Sequence, residues 1–138
     1  MSPTDLSEND IMAHSLNATW KTTTANPPAL GEDEQSWKQP FGEACPHGRH
    51  IMLVDGTHVR NKFDSDFSQG GNGYAYEDFV PKDEIWIDAQ IDPIEWPFIA
   101  FHECEEAELM EKGMSYDKAH DMVKHLEDIF RRRLMGDR

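Results

Sequence analysis

Long apolar runs are missing from this 138-residue chain, and the longest, Trp96-Pro-Phe-Ile-Ala-Phe101, falls far short of the ~20 residues that span a bilayer. The start, Met1-Ser-Pro-Thr-Asp-Leu6, lacks the basic and apolar segments of a secretory signal. Cations are scarce: 13 Lys and Arg stand against 27 Asp and Glu, a net charge of −14 spread over the whole chain. Nucleic-acid binding needs clustered cations, so it is not expected. The one basic triplet, Arg131-Arg-Arg133, falls at a helix C-terminus, where it complements the helix dipole. Cysteine is scarce too. Cys45 and Cys104 cannot form a disulfide framework, and Cys104 sits in a helical pattern flanked by charge, so both are expected as free thiols. These absences predict a cytoplasmic protein with neither membrane nor nucleic acid as partner.

What is present suffices for one domain with a modest core, at 38% hydrophobic residues. Residues 1–49 hold most of the prolines, a Thr22-Thr-Thr24 run and the acidic cluster Glu32-Asp-Glu34, with no sustained apolar period. They are expected to form an irregular or disordered acidic arm, anchored by Trp20, Trp37 and Phe41. The domain is expected over 50–138.

Ile51–Val54 and Thr57–Arg60 flank Asp55-Gly56, the turn pair of a two-residue β-hairpin. Phe63 and Phe67 alternate with Asp64 and Asp66 as on a half-buried strand, and Gly70-Gly-Asn-Gly73 reads as a turn or a mobile lid. Glu84–Ile91 puts Ile85, Ile87 and Ala89 on one side and Trp86, Asp88 and Gln90 on the other, a strand with one polar face. Asp92-Pro-Ile-Glu95 opens a helix that ends at Gly113, with Pro97 permitting a start nearer Trp96. Ser115 caps a second helix to about Leu134, so the two fold back as an antiparallel pair. The expected class is α+β, a small antiparallel sheet carrying a C-terminal αα-hairpin.

On the first helix, His102 falls in the middle of the apolar face of Ile94, Phe98, Ile99, Phe101, Leu109 and Met110. Glu106 lies one turn on, Glu105 lies between Phe101 and Leu109, and Glu103 is at the rim. Cys104 and Ala107 fall on the other side. The second helix has its core stripe at Ala119, Val123, Leu126 and Phe130, with His120 on its shoulder near Tyr116. Counting outward from the turn sets Glu106 level with His120, within ~2 Å of axial rise. His102, Glu106 and His120 can then converge between the helices. Two imidazoles and a carboxylate with a fourth position open form the ligand set of a catalytic zinc site, although another divalent transition metal would fit. Glu103 is placed to take a proton from a water there.

The stretch His102-Glu-Cys-Glu-Glu106 resembles the HExxH helix of zincin metallopeptidases with glutamate for the second histidine, and His120 resembles the downstream third ligand. Strand Glu84–Ile91 ahead of this helix is placed as in zincins, whose edge strand holds an extended peptide beside the metal. With Val54-Asp-Gly-Thr-His-Val-Arg60 and the helix pair, residues 50–135 resemble small metallopeptidase-like proteins of phages and environmental bacteria. The resemblance implies a peptide substrate; esters, amides or phosphoesters fit the same chemistry. Tyr76, Trp86 and Asp88 are expected to line the cleft.

Blander readings stand beside these. The histidines with Glu106 or Glu105 form a hydrogen-bonded clamp without metal. Glu105 is a ligand, a hydrogen-bond acceptor for an imidazole, or a neutral buried acid. Glu103-x-x-Glu106 with Asp117-x-x-His120 resembles half of a carboxylate-bridged di-iron set, which a dimer would complete. Cys45, His47 and His50 offer donors for a second metal, and Asp64 and Asp66 read as a solvated strand face. A non-catalytic alternative is a metal-stabilised or acidic interaction protein, such as a phage or host-defence accessory.

Overall fold

A computed structural model describes residues 37–136. Trp20, the threonine run and the acidic cluster of the expected arm lie outside the described residues. The elements are β1 (Lys38–Ala44), β2 (His50–Val54), α1 (Gly56–Lys62), β3 (Gly70–Asn72), β4 (Glu84–Asp88), a 3-10 turn (Pro93–Glu95), α2 (Trp96–Glu111) and α3 (Tyr116–Met135). The class is α+β with a terminal helix pair. The four-stranded sheet runs β1-β2-β4-β3, with β1 and β3 antiparallel to their neighbours and β2 parallel to β4. It is therefore mixed, where a purely antiparallel sheet was expected.

The difference starts at Asp55. Its carboxylate accepts from the backbone N–H of Thr57 and His58, which makes it the N-cap of α1 instead of a turn residue. Aspartate serves both roles equally well, and here the chain leaves β2 as a helix and returns with β4 in the same direction. Gly56 is needed at this point because a Cβ there would collide with the Asp88 carboxylate, which accepts from the Gly56 N–H at 3.2 Å. Phe63 ends α1 and Phe67 is buried in a loop, so no strand forms over 63–67.

Residues 38–44 also depart from the expected arm. They pair with β2 as an edge strand, interrupted by an irregularity between Pro40 and Ala44 where Gly42 has φ +100°. Trp37 stacks on His58 at 4.7 Å and Phe41 meets Trp96 edge-on at 5.9 Å. Cys45 then bonds to Cys104 with a Cα separation of 5.6 Å, so the expected free thiols are a disulfide. Helical periodicity places Cys104 away from one apolar face but says nothing of a second. There is a second: α2 packs on the sheet through Ile99, Ala100 and Cys104, and on α3 through Phe98, Phe101 and Leu109. Ala107 is buried for the same reason. The far face of the sheet carries Val54, Val59, Phe67, Val80 and Trp86.

The helix pair matches its pattern. Asp92 caps the 3-10 turn through Ile94 N–H, α2 begins at Trp96, Gly113 takes φ +108° after it, and Ser115 accepts from Lys118 N–H. Ala119, Val123, Leu126 and Phe130 are the buried stripe of α3. No helix among the described residues is long and apolar enough to cross a membrane.

Gly70-Gly-Asn72 is a fully buried strand, neither a turn nor a lid. A Cβ at Gly70 would lie 2.6 Å from the Trp86 carbonyl oxygen and 2.7 Å from Ile99 Cγ2. Gly70→Ala is accordingly expected to force α2 off the sheet and lower unfolding free energy by ~1–3 kcal/mol. Urea denaturation tests this, and an unchanged midpoint would refute the close fit.

Candidate metal centre

The hairpin turn sets the register of the site. Glu106 on α2 and His120 on α3 are equidistant from Gly113, and His102 lies one turn before Glu106. Nε2 of His102 is 2.9 Å from Glu106 Oε2 and 3.2 Å from His120 Nδ1, while His120 Nδ1 is 3.0 Å from Glu106 Oε2. One ligating atom from each of the three lies within 4.8 Å of the others, the only such group of three or more among the described residues. The two rings meet edge-on at 4.9 Å, and Tyr116 stacks on His120 at 5.4 Å. Nitrogen donors with one carboxylate oxygen, converging from two helices, suit a borderline divalent ion such as zinc.

Two partners hold these groups in place. Asn72, fully buried on β3, donates from Nδ2 to Glu106 Oε1 at 3.1 Å and to Glu103 Oε1 at 3.0 Å. Its own Oδ1 accepts from the backbone N–H of Tyr74 and Ala75, which fixes the amide's orientation. Oε2 of Glu106 is thus left facing the histidines. Glu127 on α3 takes the other ring nitrogen of His102, Nδ1, at 3.0 Å. That contact assigns Nδ1–H as donor and turns Nε2 toward the centre. Behind it, Arg131 bonds Glu127 at 3.4 Å and grips Glu95 at 2.8 and 3.0 Å, with its guanidinium 4.0 Å above the Phe98 ring. Those hydrogen bonds hold Glu95 below the usual carboxylate range.

Burial and the neighbouring Glu106 push Glu103 up to about 7, against the opposing pull of His102 and Asn72. Burial would lower His102, but hydrogen bonds to Glu106 and Glu127 and the nearby acids raise it to about 10 without a metal. Tyr76 and Tyr116 are both raised, by burial first and then by the acids of the site. His102, Glu103, Glu106, Glu127, Tyr76 and Tyr116 border one cleft of about 590 Å³, walled by α2, α3 and the loops on either side of β3.

The structure thus brings His102, Glu103, Glu106, His120 and Tyr76 to one place. Trp86 and Asp88 lie elsewhere: Trp86 belongs to the far side of the sheet, and Asp88 is buried among Gly56, Gln90 and Arg60. The expected edge strand is internal, since β4 lies between β2 and β3, and it is Gln69 and Gly70 that reach the cleft. Glu105 faces away from the centre, with Oε1 3.6 Å from His47 Nε2. His47 Nδ1 meets Glu108 at 2.9 Å, so the two carboxylates sit on opposite ring nitrogens and cannot share one ion with it. With Cys45 in the disulfide and His50 exposed, no second centre forms there. Asp117 is exposed and takes no part in the three-residue group.

Asn72, Glu127, Arg131 and Glu95 escape the sequence reading. Outward counting from Gly113 sets Glu95 level with Arg131, so that pair had a usable signal, whereas Glu127 lies ~4.5 Å beyond the level of His102. Asn72 had none, because asparagine between glycines reads as a turn. Asn72→Asp is expected to set a third carboxylate against Glu103 and Glu106 and to lower stability by ~2–4 kcal/mol. Urea denaturation in a chelator measures it; an unaltered midpoint would remove Asn72 from the site.

Comparison with family models, curated proteins and solved structures returns no match.

Proposed function

We propose that the chain is a metal-dependent hydrolase with a single divalent ion, most simply zinc, held by His102, Glu106 and His120. The observation that carries this reading is the convergence of three ligating atoms beside Glu103 in one cleft. An ion held there supplies Lewis acidity, polarising the bond to be cut and acidifying a water next to it. Glu103 does the proton work. Its Oε1 is held by Asn72, which leaves Oε2 to accept the proton of the attacking water, and an affinity for protons near neutrality suits a group that must take up a proton and then give it to the leaving group. Glu127 fixes the His102 ring, and Asn72 confines Glu106 to ligation through Oε2. A peptide is the first substrate to test, by resemblance to zincins; esters and phosphoesters follow.

The missing span and signal segment predict a cytoplasmic protein. With Cys45 and Cys104 joined, an oxidising compartment suits the protein better. An acidic interaction protein is less favoured, because Glu106 and Glu127 are turned onto His102 and His120 and away from solvent.

The test is elemental analysis of protein purified without a metal-affinity resin, followed by a screen of peptide, ester and phosphoester substrates. About one equivalent of metal is expected, lost in His102→Ala and His120→Ala. Glu103→Gln is expected to keep the metal and lose ~10²–10⁴-fold in turnover. No metal after reconstitution would reduce the trio to a hydrogen-bonded clamp.

A further inference from the structure

Resting on the hydrolase reading, we propose that Lys124 binds the substrate and selects molecules that carry a carboxylate one residue away from the bond to be cut. Two cations border the cleft, Lys124 and Arg131. Arg131 is committed, to Glu95, to Glu127 and to the face of Phe98. Lys124 is exposed and makes no ion pair among the described residues, although Glu127 and Asp128 lie three and four positions on along the same helix. It follows His120 by four residues, so it stands on the same face of α3, ~6 Å further along the axis. An extended residue spans ~3.5 Å. A substrate whose scissile carbonyl lies at the His102–Glu106–His120 centre therefore brings the carboxylate of its next residue within reach of the flexible lysine.

Charge restricts the choice further. The rest of the cleft is acidic, and an anion would be repelled by Glu103 on one side and Asp128 on the other. Between them the ion and Lys124 attract it, since Arg131 is already held by Glu95 and Glu127. A carboxylate monoanion suits this narrow space better than a phosphate dianion, which Glu127 and Asp128 would oppose more strongly. Phe98 and Ile99 of α2 supply apolar wall for a side chain on the same residue. The carboxylate could be a C-terminus or an acidic side chain, and the chemistry of recognition is the same charge-assisted hydrogen bond.

The experiment is equilibrium binding of three hydroxamate probes to the zinc-loaded full chain, with zinc content measured on each sample. The probes are HONH-CO-CH2-CH(benzyl)-COOH, a Phe mimic with a free C-terminus, the same Phe mimic as its C-terminal amide, and that amide with a carboxymethyl group in place of the benzyl, an Asp mimic. Either acid probe is expected to bind at least ~10-fold more tightly than the Phe amide, and the preferred one tells which carboxylate is read. In Lys124→Met the preference should disappear, and in Lys124→Glu it should reverse, with zinc content unchanged. Equal affinities on a fully zinc-loaded wild type, or a preference that survives Lys124→Met, would overturn this inference and leave the hydrolase reading standing. A chain that takes up no zinc overturns both.

Discussion

Reduction of the Cys45–Cys104 disulfide is expected to lower unfolding free energy by about 4 kcal/mol. The two cysteines are 59 residues apart, and the entropy of closing a loop of that length in the unfolded chain gives this magnitude. In the folded state little is lost, because both sulfurs lie in the core with Ile51, Ile87 and Ala100 and remain there as small apolar thiols. A domain of this size has ~5–15 kcal/mol of stability, so the loss is a large share and corresponds to a fall in Tm of ~15 °C or more. Chemical denaturation with and without reductant measures it, and the Cys45→Ala/Cys104→Ala double variant should behave like the reduced protein. The bond ties the loop after β1 to the middle of α2, one residue from Glu103. α2 is also held by the sheet and by α3, so metal binding should persist in whatever fraction stays folded. A midpoint unmoved by reductant, with thiol titration showing two free cysteines, would refute the account.

How far the sequence could be read depended on whether each element has one buried side. α3 does, and its stripe of Ala119, Val123, Leu126 and Phe130 stands out against a polar background. That fixed the facing of His120, and the short turn at Gly113 then set Glu106 level with it, so the three-residue centre was legible. α2 is enclosed between the sheet and α3, and its apolar residues surround most of the axis. Periodicity therefore could not say where Cys104, Glu105 and Ala107 point. β4 is likewise buried on both faces, and alternation put Trp86 and Asp88 on a polar side that does not exist. Sheet order was out of reach for a different reason: the sequence Asp55-Gly56 suits a hairpin and a helix start alike, and only the fit of Gly56 against Asp88 decides between them.

Metal and pH are expected to act on stability in opposite senses, and this separates a metal centre from a clamp. In the protein stripped by chelator, His102 holds its proton up to about 10, against ~6.5 in an unfolded chain. The stabilisation this represents is fully present below ~6.5 and is lost as pH rises through about 10. Glu103 works in the same direction. Its folded value of about 7 exceeds that of an unfolded glutamate, so its contribution is present below ~4.5 and is lost as pH rises through about 7. The stripped protein should therefore lose Tm steadily from mildly acid to alkaline pH. A bound ion requires neutral His102 and His120 and an ionised Glu106, so protons compete with it and its hold strengthens as pH rises. With zinc at ~1,000 times Kd near pH 8, the gain is ~4 kcal/mol, and it should shrink toward nothing near pH 5. Thermal unfolding across pH, with and without zinc, would show two curves that meet on the acid side and diverge on the alkaline side. Parallel curves, or a zinc effect that survives in His102→Ala, would place the ion somewhere other than between α2 and α3.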